Sequence, residues 1–393
     1  MGTESQLRRF GGRKQSKSPP ILSHEFIIQN HADIMSCIAM VFVVGLMLKA
    51  TSPVASMFLT LQHNITLESV DQQKMIGGAT SWMYVRGIKD TAAIFFYSII
   101  CIVLHAVLQE YVVDKVKNRL HLSKTKTSKF SESSQLLAFY LMSVVAAGYI
   151  ISEGNYLTSI KLLWENYPAE HVPMNFMTKL FYIIQLSYWI HNYPEFYFQK
   201  VKRDEMRFRA IYTTLYLVFI AAAYILNFNR VAMMLLCVHY AAELVYHAAR
   251  IAHFVDRPGI SRPLWRLWFA AFVLSRLASV IFAVLTFWYG LRLSETPRMD
   301  PETGNYNTAF IRLNCLLAVC GVQIWLGWNF ICAWLRRARE HTPHGGGKHH
   351  HHFRRSGKGG AGEVKSAAKK QREDKEFQSL PEVDQNELRK RRM

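Results

Sequence analysis

Windows of about twenty residues resolve this chain into a ladder of eight apolar segments, separated by strips alternately rich and poor in Lys and Arg. A hydrocarbon layer about 30 Å thick is crossed by around twenty apolar helical residues, because each adds about 1.5 Å. The segments run Ile34 to Leu48, Thr91 to Leu108, Leu136 to Ile151, Leu180 to Phe198, Ala210 to Phe228, Val231 to Ala249, Leu264 to Leu291 and Ala309 to Leu335. Hydrophobic residues make up 50% of the chain while its formal net charge is +19, so the charge must lie between the segments. The expectation is an all-α, polytopic membrane helix bundle of about eight transmembrane helices.

The first segment is short, and Lys49 must either snorkel to an interface or lie inside a longer helix reaching Leu61. No cleavable leader is evident, since the first thirty residues carry Arg8, Arg9, Arg13, Lys14 and Lys17 without an apolar core. The first membrane segment is then expected to act as the insertion signal. Cys37, Cys101, Cys237, Cys315, Cys320 and Cys332 all fall in apolar segments, where cysteine behaves as a small hydrophobe rather than a disulfide framework.

Cytoplasmic loops carry the Lys/Arg excess. The basic strips are the N-terminus, Lys115 to Lys129, Lys200 to Arg209, Arg250 to Arg266 and the tail. Between them lie Pro53 to Tyr84, the acidic Glu153 to Glu170 stretch, the Asn227 to Arg230 turn and Arg292 to Asn307, which are expected to be lumenal. Eight crossings fit this alternation and place both termini in the cytoplasm. Arg86, Lys89, Arg292 and Arg298 run against the rule. Asn64-Ile65-Thr66, an N-glycosylation acceptor, falls on the lumenal side the charges require. From Arg336 to Met393, 16 basic and 8 acidic side chains in a Gly- and His-rich stretch without apolar periodicity predict a disordered cytoplasmic tail.

An ionisable side chain at the bilayer centre costs about 2.5 to 3.5 kcal/mol on insertion scales, so each needs a partner, a cavity or a task. His239, Glu243 and His247 share one helical face at i, i+4, i+8. Arg276 stands midway along the seventh segment and needs an anion, for which Glu243 is placed by depth. Gln185, His191, Asn192, Pro194 and Glu195 lie in the fourth segment, where Pro194 frees backbone carbonyls. Three readings stay open: hydrogen bonding between helices, a polar cavity for a substrate, lipid or passing peptide, and metal chemistry. The last lacks the adjacent His-Glu pair of a zinc protease. Phosphate-binding glycine loops and a nucleophile elbow are absent from the sequence.

Several stretches carry a resemblance. Ser23-His-Glu-Phe-Ile-Ile-Gln-Asn-His-Ala-Asp-Ile34, Gly87-Ile-Lys-Asp90, His105-Ala-Val-Leu-Gln-Glu110, Ser123-Lys-Thr-Lys-Thr-Ser-Lys-Phe130 and Tyr188-Trp-Ile-His-Asn-Tyr-Pro-Glu-Phe-Tyr-Phe-Gln199 closely resemble the TRAM family, the translocating chain-associated membrane proteins. The likeness runs from about Ser18 to Glu340. It implies a multi-pass protein of the endoplasmic reticulum membrane, beside the Sec translocon, that contacts nascent signal sequences and transmembrane segments and favours their translocation or insertion. The family is similar in architecture to the TLC group, which also holds ceramide synthases. That likeness implies a TLC-like six-helix core over 117–339, while composition and the ladder of segments give a basic cytoplasmic N-terminus over 1–30, two leading helices with a lumenal loop over 31–116 and a disordered basic tail over 340–393.

Enzymatic TLC members carry an adjacent His-His pair and a His-Asp with a further Asp. Here the first place reads Arg209-Ala-Ile-Tyr-Thr-Thr-Leu-Tyr216, and the second reads His239-Tyr-Ala-Ala-Glu243. Acyl transfer loses most of its acid–base apparatus. No catalytic residue, cofactor or metal is therefore expected, and the alternative is a lipid-binding or ceramide synthase-like protein. The expected nascent-chain or lipid-contacting face is Gln185, His191, Glu195, His239, Glu243, His247 and Arg276. Membrane lipids are expected partners, as is the ribosome through the basic loops and tail.

Overall fold

The computed structural model describes residues 20, 23–65, 82–201 and 203–341. Its long helices are α1 (His24–Met47), α3 (Asp90–Leu120), α4 (Lys124–Glu153), α5 (Phe176–Phe198), α6 (Arg203–Ile225), α7 (Asn229–Phe254), α8 (Pro258–Ser294) and α9 (Ala309–His341), with a short α2 (Ser52–Leu59) after the first. All eight sequence segments lie on these long helices. The expected tail beyond residue 341, most of the N-terminal strip and Thr66 of the glycosylation tripeptide lie outside the described residues.

Seven of the eight helices are long and apolar enough to cross a membrane, and α5 is the exception. That helix was expected to be the fourth crossing. Its 23 residues include Lys179, Gln185, His191 and Glu195, all buried. Neighbouring helices cover most of it, leaving Met177, Ile184, Tyr193 and Tyr197 exposed, so its polar side chains meet protein rather than lipid and the hydropathy rule loses its basis. Lys49 settles the other open point: α1 stops at Met47, and Lys49 sits exposed in the turn before α2.

Local chemistry marks the helix boundaries. Ser23 and Asn175 cap α1 and α5 by accepting from the amides of Phe26 and Thr178, the role for which short polar side chains are favoured. Pro258 opens α8 at a position where the missing N–H costs nothing. His121, Lys200, Asn227 and Asp256 take left-handed backbone just past helix ends, which satisfies terminal carbonyls and turns the chain. Only three residues separate α6 from α7, and three separate α7 from α8, so both pairs are antiparallel hairpins.

The core sits among α4 to α7. Tyr140, Ala147 and Ile150 of α4, Tyr182, Leu186 and Trp189 of α5, Tyr216 and Ile220 of α6, and Met233, Met234 and Tyr240 of α7 form one buried cluster. A second joins Phe228, just before α7, and Val231 and Leu235 of α7 to Ala283, Phe287 and Leu291 of α8 and Val319 of α9. Helix α3 packs on α5, while α1 and α2 pack on α3 through Ala39, Phe58, Phe96 and Ile99. Outward faces stay apolar: Val41 and Met47 of α1, Leu274 and Ile281 of α8, and Phe310, Leu317 and Ile324 of α9 are exposed. Apolar surface on that scale belongs against lipid.

By contact density the chain separates into a main unit, Met1–Val201 with Met206–Trp328, and a second, Lys202–Glu205 with Asn329–Met393. The described part of the second unit is helical. Everything below concerns the main unit.

Candidate functional site: the polar groups inside the bundle

The structure separates the seven expected polar residues into three groups at different depths. In the first, Gln185 joins three helices through a complete relay. The Trp189 indole N–H donates to the Tyr240 hydroxyl at 3.2 Å, that hydroxyl donates to Gln185 Oε1 at 2.9 Å, and Gln185 Nε2 donates to Ser143 Oγ at 2.8 Å. Every member is buried. The Tyr216 ring stacks on Trp189 with centroids 3.9 Å apart, closing the relay on the α6 side. A fully satisfied network of this kind fixes the mutual rotation of its helices, as the hydrogen-bonding reading of the sequence anticipated.

The second group lies near the other end of α5. His191 Nδ1 faces the Tyr188 carbonyl, and Glu195 Oε1 receives Gln199 Nε2 at 3.0 Å with His105 Nε2 of α3 at 3.3 Å. The third group lines α7 and α8. Tyr216 Oη meets His239 Nε2, and an Arg276 Nη donates to His239 Nδ1 at 2.6 Å and to Ser275 Oγ at 3.1 Å.

The expected Glu243–Arg276 contact is not made: the two residues form no ion pair within 4 Å. Arg276 turns instead to His239, one helical turn earlier on the same α7 face. It also lies over the Phe272 ring, 5.3 Å from the centroid. Depth along a helix was legible, but the partner depends on how α7 and α8 are rotated about their axes. Since guanidinium only donates, His239 Nδ1 carries no proton and Nε2 holds it toward Tyr216. Both ring nitrogens are thus occupied. His247 stacks beside Tyr140 at 5.6 Å, and its Nδ1 has no partner.

Sequence reasoning missed the most completely bonded charge pair, at the opposite ends of α3 and α5. Lys179 Nζ donates at 2.7 Å to the Gln62 and Val85 carbonyls and forms an ion pair with Asp90 Oδ1, also at 2.7 Å. Asp90 Oδ2 accepts from the Tyr224 hydroxyl at 2.7 Å and from the Gly87 amide at 2.8 Å. Both residues were passed over because the apolar segments were begun at Leu180 and Thr91, one residue too late in each case. Extending the intramembrane-charge rule by one position at each start would have found them.

Around this pair the loops expected to be lumenal form a knitted cap. Strands β1 (Asn64–Ile65) and β2 (Met83–Tyr84) pair antiparallel, and Tyr84 bridges to Met174. Asn64 is exposed. Asn227 Nδ2 donates to the Gly304 carbonyl, Asn229 Nδ2 to the His171 carbonyl, and Tyr167 Oη to the Leu226 carbonyl. A cavity of about 130 Å³ opens in this cap beside Tyr156, Glu170, His171, Asn229 and Arg230, and none of the seven expected residues lines it. Burial, and then the Arg230 charge, hold the His171 imidazole down to about 3. Among the described residues, no group of His, Cys, Asp or Glu has an arrangement able to hold a metal ion.

The arrangement places polar groups within a bundle of long apolar helices, and His239 is locked between Tyr216 and Arg276. A family model described as the TLC domain matches residues 129–332. The human and mouse proteins called Translocating chain-associated membrane protein 2 are each 44% identical over 329 residues, which covers 84% of this chain and 86% of theirs. Bovine Ceramide synthase 4 is 24% identical over 207 residues, covering 52% of this chain and 50% of its own. The chain therefore belongs to the translocating chain-associated membrane protein family, within the wider group that shares the TLC domain.

Proposed function

We propose that this protein is a multi-pass component of the endoplasmic reticulum membrane that works beside the Sec translocon, contacting signal sequences and transmembrane segments as they leave it and assisting their translocation or insertion. The observation that carries this reading is the 44% identity over 84% of the chain to proteins named for translocating-chain association. Both termini face the cytosol, where the basic loops and tail meet anionic lipid or the ribosome. Two leading helices precede a core over residues 117–339, and Asn64 is a lumenal glycosylation acceptor.

A helix leaving an aqueous pore exchanges water for hydrocarbon, and any polar flank pays for desolvation on the way. His191, Glu195, His247 and Arg276, each of which keeps a buried polar atom without a partner, offer exchangeable hydrogen bonds that lower that barrier without a covalent step. A client of low hydrophobicity faces the highest barrier and benefits most. Reconstituted vesicles carrying the translocon, with and without this protein, test the reading with a series of clients of graded hydrophobicity. Yield should fall most for the weakly apolar ones when the protein is omitted. Equal yield for every client overturns the proposal.

The likeness to Ceramide synthase 4 favours one rival, a sphingolipid-synthesising or lipid-binding protein. Against synthesis stand the absence of histidine from 209–216 and the doubly bonded His239. Acylated product from a sphingoid base and acyl-CoA on the purified protein would reverse that judgement.

A further inference from the structure

The second polar group is left incomplete by the chain itself. The Tyr188 carbonyl can only accept, so His191 holds its proton on Nδ1 and presents Nε2 as an acceptor. That nitrogen has no partner although His191 is fully buried. One turn further along the same α5 face, Glu195 is 5% exposed and its Oε2 is also without a partner. Among the described residues, no Lys or Arg lies within 4 Å of this carboxylate, and its ion-pair neighbour is His105. Gln199 Nε2 lies 3.1 Å from His105 Nε2, so no permanently charged Lys or Arg among the described residues supplies this carboxylate with a counter-charge.

Buried acceptors without donors are uncommon in native proteins, and a buried carboxylate without a cation is costly. The missing partner must therefore bring several N–H groups and a positive charge. A metal ion does not fit, because these groups are not arranged as ligands. Helix α3 also departs from α-geometry one turn away, where Gln109–Val113 form a π-helical stretch. Such insertions widen a helix and recur at functional sites.

Depth selects the source of the cation. Glu195 lies three residues before the end of α5, or about 5 Å along the axis, and about 24 Å from Lys179 at the other end. In the orientation proposed above, that places Glu195 at the cytosolic edge of the hydrocarbon layer, at the level of lipid headgroups. Exposed Gln199 covers the pair from the aqueous side, and Lys200, also exposed, stands next to it as a cation for a phosphate.

We propose that the inner ends of α3 and α5 form a binding site for the primary ammonium of an aminophospholipid headgroup, with Glu195 Oε2 and His191 Nε2 as the acceptors and Gln199 as the cover. This deepens the reading of the α5 polar face given above. It does not depend on the translocon. Choline lacks N–H groups and leaves both acceptors unpartnered, so the site discriminates between ethanolamine and choline lipids.

The test uses the full-length protein purified into nanodiscs holding phosphatidylethanolamine and phosphatidylcholine, with retained lipid counted by mass spectrometry after detergent exchange. A charge-assisted hydrogen bond corresponds to about a tenfold preference for the ethanolamine lipid, and Glu195→Gln should bring it close to unity. No preference in the unaltered protein overturns the proposal whatever the variants do. A preference unchanged in folded Glu195→Gln and His191→Gln also overturns it. Retention of a Lys-bearing transmembrane peptide in place of the lipid assigns the site to another source and rejects the lipid. Client yield maintained in vesicles without aminophospholipid would leave the translocation role standing if the lipid assignment fails.

Discussion

Replacing Lys179 by methionine should destabilise the bundle more than any substitution on its outer surface. Lys179 is wholly buried; its Nζ donates to the carbonyls of Gln62 and Val85 and forms an ion pair with Asp90 Oδ1, each at 2.7 Å. Lys179→Met keeps the length of the stem but leaves the Asp90 carboxylate supported only by Tyr224 and Gly87. Breaking a buried pair from one side costs about 3 to 5 kcal/mol, and Asp90→Asn should cost a similar amount for the opposite reason. With both changes no buried charge remains. The residual loss is then the two orphaned carbonyls, about 1 to 3 kcal/mol each.

The double variant should therefore be about as stable as either single one, giving a coupling of roughly 3 to 5 kcal/mol where independent sites couple by less than about 0.5. The assay is a double-mutant cycle on unfolding free energies in bicelles. Hydrogen exchange at Gln62 and Val85 would show the two loops coming away in Lys179→Met. Additive effects of the two substitutions, or single losses below about 1 kcal/mol, are values expected of exposed pairs and would refute the account of this pair as the clamp of the cap.

A cycle between Arg276→Met and His239→Phe should show strong coupling, while one between Arg276→Met and Glu243→Gln should be near additive; the reverse order would restore the pairing first expected from depth. His171 takes up a proton in the unfolded chain near its ordinary value of 6.5 but in the folded cap only near 3, so stability is lost as pH falls between those values. The loss is about 2 kcal/mol at pH 5, and melting at pH 7 and pH 5 should differ less in His171→Gln. Gly304 has φ of +74°, and an added Cβ would lie 2.6 Å from Val172 Cγ2 and 2.7 Å from Asn227 Nδ2. Gly304→Ala should therefore cost about 1 to 2 kcal/mol from the left-handed backbone alone, read as a lowered melting temperature with the helix content unchanged.

Much of the candidate site was visible before the fold, although its partition was not. A histidine or glutamate amid apolar residues advertises itself, which is why Gln185, His191, Glu195, His239 and Arg276 stood out. Their companions did not. Ser143, Trp189, Tyr216 and Tyr240 are ordinary residues of membrane helices, and only packing turned them into hydrogen-bond partners. Asp90 and Lys179 sat one residue outside the segments as drawn, where a charge reads as a helix flank rather than as half of a buried pair.

The sequence by itself determined that eight long helices would form, where each would begin and end to within a few residues or, at the polar extensions, a few turns, and which family they belong to. Those properties follow from hydropathy, capping residues and local motifs, all carried by neighbours along the chain. Only the tertiary structure decided that the polar side chains of α5 would meet protein, that Arg276 would find His239 rather than Glu243, and that His191 and Glu195 would be left with unanswered acceptors. Each of these depends on the rotation of one helix against another remote in sequence. A shift of one residue turns a helix by about 100°, enough to exchange every partner a side chain meets.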